Sequence, residues 1–349
     1  MRTVEKILVT GDVGYIGSVL TEVLCEQSFS VKGLDTGFYK DCLLSPSVPA
    51  YSRAILDLRD ITVADLNGID AVIHLAGLSN DPLGELIPGI TEEINYLSTV
   101  RLAEYARLAG VKRFIYASSQ SMYGIAAFDE ELDEDDSAKN PLTAYAATKW
   151  QAEQQLVKMS DASFTVVCFR PSTVFGASPR LRTDIVFNNL VACAYTTGRI
   201  EIKSDGTPWR PVVHIRDVCS AFIAGLIAPS SLVGGRSFNV GIPGGNFTVR
   251  ELAEAAQRAV PGSSLTFTGE HGSDSRTYRV SFKRILAELH DYYKPAWDLD
   301  RGGKELVDFF RATGFTEQQF RGAQTNRLVK LRSLMDQSLL DEQLRWKTA

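Results

Sequence analysis

The stretch KILVTGDVGYIG (6–17) constrains the fold more than any other part of the chain. An apolar run ends at Gly11, Gly14 and Gly17, and a helical pattern over 15–27 takes over directly. Strand, glycine turn and helix in that order are how a dinucleotide-binding βαβ unit begins. Glycine lets the turn take positive φ and lets the backbone approach a phosphate closely. The helix start then offers free N–H groups and the positive end of its dipole. Three glycines alone would be weak. Asp35 adds to them, at the end of the second apolar run and 18 residues after Gly17. A carboxylate there can accept from the adenosine ribose hydroxyls of NAD and would repel the extra phosphate of NADP. No Arg or Lys follows until Lys40.

Further apolar runs follow at 71–77 (AVIHLAG), 113–119 (RFIYASS) and 164–170 (FTVVCFR), with helix-length segments at 91–109 and 143–159 between them. The runs do not alternate cleanly with polar residues, which is how strands buried on both faces read. The pattern predicts an α/β fold: a Rossmann-type, doubly wound parallel sheet with a smaller, interleaved α/β substrate domain. The expected division is 1–172 plus about 212–242 for the cofactor domain, and 173–211 plus 243–349 for the other. In the second half, Thr248 and Glu251 have capping-box spacing, and 303–346 reads as mostly helical.

With 349 residues, 44% hydrophobic and 23% charged, the chain is of ordinary globular type. A net charge of -5 argues against a nucleic-acid surface. Five scattered cysteines without a C-x-x-C point away from a disulfide framework or a metal site and toward a reducing cytoplasm. The N-terminus carries no signal-peptide pattern, and no apolar run reaches the ~18 residues of a membrane span. The acidic run DEELDEDD (129–136) reads as a solvated loop.

AYAATKW (144–150) places Tyr145 and Lys149 four apart, on one face of a helix. In isolation such a pair is commonly chance. Its company changes that. The G-x-x-G-x-x-G spacing, HLAG (74–77), YASSQSMYG (116–124), YAATK (145–149) and FRPSTVFG (169–176) together resemble the extended short-chain dehydrogenase/reductase family. More narrowly, they resemble the NAD-dependent nucleotide-sugar epimerases and dehydratases, over nearly the whole chain.

The resemblance implies roles. Gly11, Gly14 and Gly17, with the Tyr15 and Ile16 backbone, would wrap the pyrophosphate, and Asp35 would hold the adenosine ribose. Leu75 and Ala76 would line the cofactor cleft, and Pro171 would contact the nicotinamide. Leu58 and Ser118 count with the cofactor positions. Asp57 is placed to meet the adenine amino group, or else to cap a helix. Tyr145, Lys149 and Ser119 match the catalytic residues. A phenol of pKa about 10 is a poor base at neutral pH, but a nearby ammonium and a positive nicotinamide ring favour the phenolate. Tyr145 would then take a proton from a substrate hydroxyl while NAD takes a hydride from the same carbon. Ser119 would bond the reacting oxygen, and Lys149 would hold the nicotinamide ribose.

The 4,6-dehydratases carry an Asp-Glu pair where this chain has Gln120 and Ser121, so dehydration is disfavoured. The leading expectation is C4 epimerisation of a nucleotide-diphosphate sugar through a transient 4-keto intermediate, in a specialised sugar pathway. The alternatives are a nucleotide-(keto)sugar reductase or dehydrogenase, epimerisation at another carbon, and a non-catalytic NAD-binding protein. Thr173, Asn189, Arg210 and Arg276 are the expected substrate contacts, arginine because its fork can bind two phosphate oxygens. His271 stands where many epimerases carry arginine. Arg180 and Arg182 are either near the substrate or solvated loop charges. Trp209 is a stacking or a packing residue, and His74 and His214 read as structural. As often in the family, helices 91–109 and 143–159 would pair two copies into a homodimer.

Overall fold

The computed structural model describes residues 4–45, 49–124, 131–269 and 277–347. Seven parallel strands form the central sheet, in the order Arg236–Val240, Thr165–Pro171, Arg113–Ala117, Ala71–His74, Lys6–Thr10, Ser30–Asp35 and Ser52–Ile55. The first strand therefore lies between the second and the fourth. The strand order reverses there, and ligands of such sheets bind at the carboxyl ends beside that point.

Both faces of the sheet are covered, which accounts for the unbroken apolar runs. Ile7 and Val9 join one core with helices Tyr15–Glu26 and Ile215–Ile227, whereas Leu8 faces helices Ser98–Leu108 and Ala144–Lys158 in another. At roughly 1.5–3 kcal/mol for each large side chain buried, neither face tolerates polar alternation. Smaller sheets flank this layer. Thr173–Phe175 pairs with Trp209–His214, which also pairs with Asn246–Thr248. The expected boundary near residue 212 thus falls inside a strand of the smaller sheet. Thr248 and Glu251 form the anticipated capping box, starting helix Val249–Ala259.

Three sequence expectations change in detail. The segment 91–109 is not one regular helix: Pro88–Glu92 leads into a π-helical turn at Glu93–Leu97 before Ser98–Leu108. The acidic run is not simply solvated among its described residues. Glu134 is 5% exposed, accepts the Asn239 N–H at 2.8 Å and faces Arg284 at 3.7 Å. Toward the C-terminus, helices Leu299–Thr313, Glu317–Arg321 and Arg327–Asp336 give way to a non-helical end, where Leu340 bridges Trp346. The first of these starts four residues ahead of the expected position 303 and runs through Gly302 and Gly303. Gly302 is there for contact: a Cβ on it would lie 2.4 Å from the Phe175 ring.

Helix Ala144–Lys158 is fixed by a buried ion pair. Arg170 donates to Glu153 through Nη2 at 2.6 Å and through Nε at 3.0 Å, with the two side chains 3% and 1% exposed. Ser118 and Ser237 also donate to the Glu153 carboxylate, and Arg170 Nη1 donates to the Tyr123 hydroxyl at 2.8 Å. Removing one partner leaves a buried charge unpaired. We expect Glu153→Leu to lose about 3–5 kcal/mol in urea unfolding, and Glu153→Leu with Arg170→Leu to lose less than the single variant. A double variant less stable than Glu153→Leu would contradict this reading.

Candidate active site

A cavity of about 610 Å³ opens at the carboxyl ends of the strands, beside the first. Gly11, Gly14, Tyr15, Ile16 and Gly17 form one wall. Gly11 has φ +78°, and a Cβ on it would lie 2.8 Å from the Ala76 nitrogen. A Cβ on Gly17 would lie 2.1 Å from the Gly11 oxygen. The turn is therefore as tight as backbone allows, and only glycine fits. No side chain caps the helix that starts at Tyr15. Its first N–H groups are available to an anion, which is the arrangement a pyrophosphate needs.

Asp35 lines the cavity and accepts the Gly37 and Val13 N–H groups at 2.7 and 3.2 Å. Burial pushes its carboxyl up to about 6, against the pull of the Gly37 bond, and the Asp12 charge adds to the rise. Asp57, Leu58, Leu75 and Ala76 continue the wall. Asp57 meets its second sequence reading, as the cap of a short 3-10 turn accepting the Arg59 N–H at 2.9 Å. It also pairs with the Arg59 guanidinium at 2.7 Å while remaining in the cavity wall.

Ser118, Ser119, Tyr145, Lys149, Pro171 and Thr173 meet at the other end of the same cavity. Ser119 is brought there by the end of strand Arg113–Ala117 and accepts the Ser121 N–H at 3.1 Å. Thr143 caps the helix that carries Tyr145 and Lys149. Lys149 is 5% exposed and donates to the Ala117 carbonyl at 2.8 Å, with its ammonium 4.8 Å from the centre of the Tyr116 ring. Burial lowers this amine to about 8.

Tyr145 differs from expectation. In the cofactor-free protein burial raises its phenol, while a side-chain hydrogen bond with Ser119 and the charge of Arg182 pull the other way. The Lys149 ammonium is hydrogen-bonded to the Ala117 carbonyl. The phenol at rest is a weak acid held beside Ser119. Gln120, next after Ser119, donates through Nε2 to the Arg170 carbonyl at 3.0 Å.

The expected substrate contacts divide. Thr173 and Arg210 face the cavity. Asn189 does not: it is exposed, and its Nδ2 donates to the Thr183 carbonyl at 2.7 Å. The buried residue is Asn188, one position earlier on the helix, which donates to the Tyr15 hydroxyl at 3.1 Å and accepts the Gly176 N–H. Arg276 and His271 lie outside the described residues. Arg180 is buried against the start of the first helix, with Nη1 donating to Ser18 at 3.2 Å. Arg182 reaches the cavity, paired with Asp184 at 2.9 Å and donating to Ser79. Neither is a solvated charge. His74 is buried between Thr10 and Thr99, and burial holds it well below the usual histidine range. His214 stacks on Trp297 at 3.9 Å and bonds Glu305 at 2.8 Å, both structural contacts.

Sequence reading missed Phe38, Tyr39, Ser79, Asn80 and the stretch Asn326–Leu328, all lining the cavity. The first four follow strand ends, a position that could have flagged them. Asn326–Leu328 arrive from the far end of the chain, with no local signal.

A sequence model described as the NAD dependent epimerase/dehydratase family matches residues 7–241. The UDP-glucose 4-epimerase of Mycolicibacterium smegmatis is 31% identical over 323 residues, 88% of this chain and 98% of that protein. The UDP-glucuronate 4-epimerase of Thermodesulfobacterium geofontis is 27% identical over 86% of this chain and 95% of its own. Among solved structures, MoeE5 in complex with UDP-glucuronic acid and NAD superposes with a TM-score of 0.74 at 27% identity, covering 88% of this chain and 99% of that one. This chain belongs to the NAD-dependent epimerase/dehydratase family.

Proposed function

We propose that the protein is an NAD-dependent nucleotide-sugar epimerase acting at C4 through a transient 4-keto sugar. The observation that carries this reading is one cavity holding the glycine turn and Asp35 at one end and Ser119, Tyr145 and Lys149 at the other. The family is named for NAD, and relatives at 31% and 27% identity are named 4-epimerases. The residues present suit the cofactor. Gly11, Gly14 and Gly17 would hold the pyrophosphate, Asp35 the adenosine ribose, Asp57 the adenine amino group, and Lys149 the nicotinamide ribose. Bound NAD supplies a hydride acceptor at the reacting carbon and a positive ring near the phenol.

The chain's own part is proton management. Tyr145 takes the proton of the C4 hydroxyl, Ser119 holds that oxygen, and Tyr145 returns the proton when the carbon is reduced from its other face. Thr173, Arg210 and Arg182 are proposed to hold the nucleotide sugar, with Arg276 a further candidate. Gln120 and Ser121 supply no acid or base for 4,6-dehydration. Among the described residues no helix is long and apolar enough to cross a membrane. We place the protein in the cytoplasm as a homodimer. Leu97 and Leu108, 49% and 73% exposed on the segment expected to pair, support that assembly.

The direct test is a panel of UDP-, dTDP-, GDP-, ADP- and CDP-sugars assayed with protein that retains its own NAD. A C4 epimer should form with one member or more and no net reduced cofactor should appear; steady NADH production would make the enzyme a dehydrogenase instead. Tyr145→Phe should lower turnover by roughly 100-fold or more and leave NAD binding within about threefold of the parent, because the phenol lies outside the glycine grip. Near-parent turnover in this variant would remove Tyr145 from the chemistry.

Lys149 gives a prediction on stability. Its folded pKa, about 8, lies below the ordinary 10.5, so the buried ammonium opposes folding. That penalty is complete below pH 8 and fades as pH rises toward the unfolded value. Lys149→Met should therefore abolish turnover yet raise the melting temperature of the cofactor-free protein at pH 7. The gain is on the order of 3 kcal/mol before the lost Ala117 bond is subtracted, and it should shrink toward pH 10. An equal offset at both pH values would show that the ammonium carries no such penalty.

A further inference from the structure

The C-terminal segment joins the two turns that flank the adenosine end of the cavity. After helix Arg327–Asp336 the chain folds back toward the carboxyl ends of the second and third strands. On one side, Trp346 Nε1 donates to the Thr36 carbonyl at 2.7 Å, one residue beyond Asp35, and its ring lies 5.9 Å from that of Phe38. On the other side, Arg59 Nη1 donates to the Gln343 carbonyl at 2.8 Å, and Arg345 pairs with Asp60 at 2.6 Å. The same Arg59 guanidinium donates to both Asp57 oxygens, through Nε at 2.9 Å and Nη2 at 2.7 Å. Arg59 is 1% exposed in its side chain and is not among the cavity-lining residues, whereas Asp57 is.

One planar cation thus connects a carboxylate in the cavity wall to the main chain of a segment some 285 residues away. Arginine's rigid fork can hold such a carboxylate in a single orientation, which a lysine cannot do. Asp57 sits on a three-residue 3-10 turn. A turn that short has little rigidity of its own, so its geometry depends on what it is tied to.

We propose that the C-terminal segment, acting through Arg59, positions Asp57 to recognise the adenine amino group of the dinucleotide. This rests on the proposed role of Asp57. Arg59 is a positioning residue, touching neither cofactor nor substrate. The segment sets selectivity for the base, while the glycine turn supplies the grip on the pyrophosphate. Loosening the segment should therefore erode discrimination between bases more than overall dinucleotide binding.

The test compares the affinity of the full-length protein for NAD and for nicotinamide hypoxanthine dinucleotide. The second ligand presents a carbonyl where NAD presents the amino group, so it faces the Asp57 carboxylate with an acceptor. The parent should prefer NAD by roughly ten- to a hundredfold, the worth of a hydrogen bond to a charged group. Trp346→Ala and Arg59→Lys should cut that preference to about threefold or less, mainly by weakening NAD. Trp346→Phe keeps the ring and loses only the donor, and should fall between. An unchanged preference in Arg59→Lys and Trp346→Ala, or an equal loss for both ligands, overturns the proposal and leaves the segment a purely structural element. If Trp346→Ala does not fold, Arg59→Lys carries the same comparison. A parent that binds NAD without preferring it overturns the role of Asp57, and this inference with it. A parent that binds neither ligand overturns the functional reading itself.

Discussion

The buried pair between Glu153 and Arg170 is the interaction on which the site depends. Glu153 lies one turn beyond Lys149 on helix Ala144–Lys158, and Arg170 is the penultimate residue of strand Thr165–Pro171. Their hydrogen bonds, with those from Ser118 and Ser237, fix the helix against two strands at the level of Ser119. A pair this dry contributes little net stability against an apolar replacement, so its value lies in orientation. It sets the height at which Tyr145 and Lys149 enter the cavity. Tyr15 does the equivalent on the opposite wall. Its hydroxyl donates to the Gly176 carbonyl at 2.8 Å, tying the glycine-turn helix to the segment that follows Thr173.

With its walls set in this way, the cavity shifts Asp35, Lys149 and Tyr145 by burial, whereas Asp57 and Asp184 are held low by their arginine partners. Asp35 is pushed up to about 6 and Lys149 down to about 8, and the Tyr145 phenol is raised. The three shifts share one sense: each favours the neutral form of a group that the proposed chemistry uses charged. The cofactor-free cavity is therefore a resting arrangement. A positive charge brought by a ligand, together with the ammonium of Lys149, would move Tyr145 toward the phenolate.

Most of the fold was legible in the sequence because its signals are local. The glycine turn, the unbroken runs at 71–77 and 113–119 and the Thr248–Glu251 box each specify geometry within a few residues. The same holds for the cofactor wall and for the cluster of Ser119, Tyr145 and Lys149, where motif and placement in the cavity coincide. What escaped depends on contacts distant in sequence. Which of Asn188 and Asn189 turns inward is a matter of helix phase against Tyr15. For Arg180 and Arg182 the choice between a place near the substrate and a solvated charge stayed open, because contacts that bury them, Ser18 and Ser79, lie more than 100 residues away. Glu134 looked solvated within an acidic run, but the run folds onto Asn239. Arg59 and Trp346 carry no motif, and their joint role shows only once the chain end is seen against the second and third strand ends.

The central claim is that one cavity oxidises and re-reduces the same sugar carbon while Tyr145 handles its proton. It is tested most directly with a nucleotide sugar carrying deuterium at C4, followed by mass and proton NMR through many turnovers. Inversion at C4 with the deuterium retained on that carbon, and no net NADH, is the predicted result. Loss of the label to water, or inversion at another carbon, would contradict it.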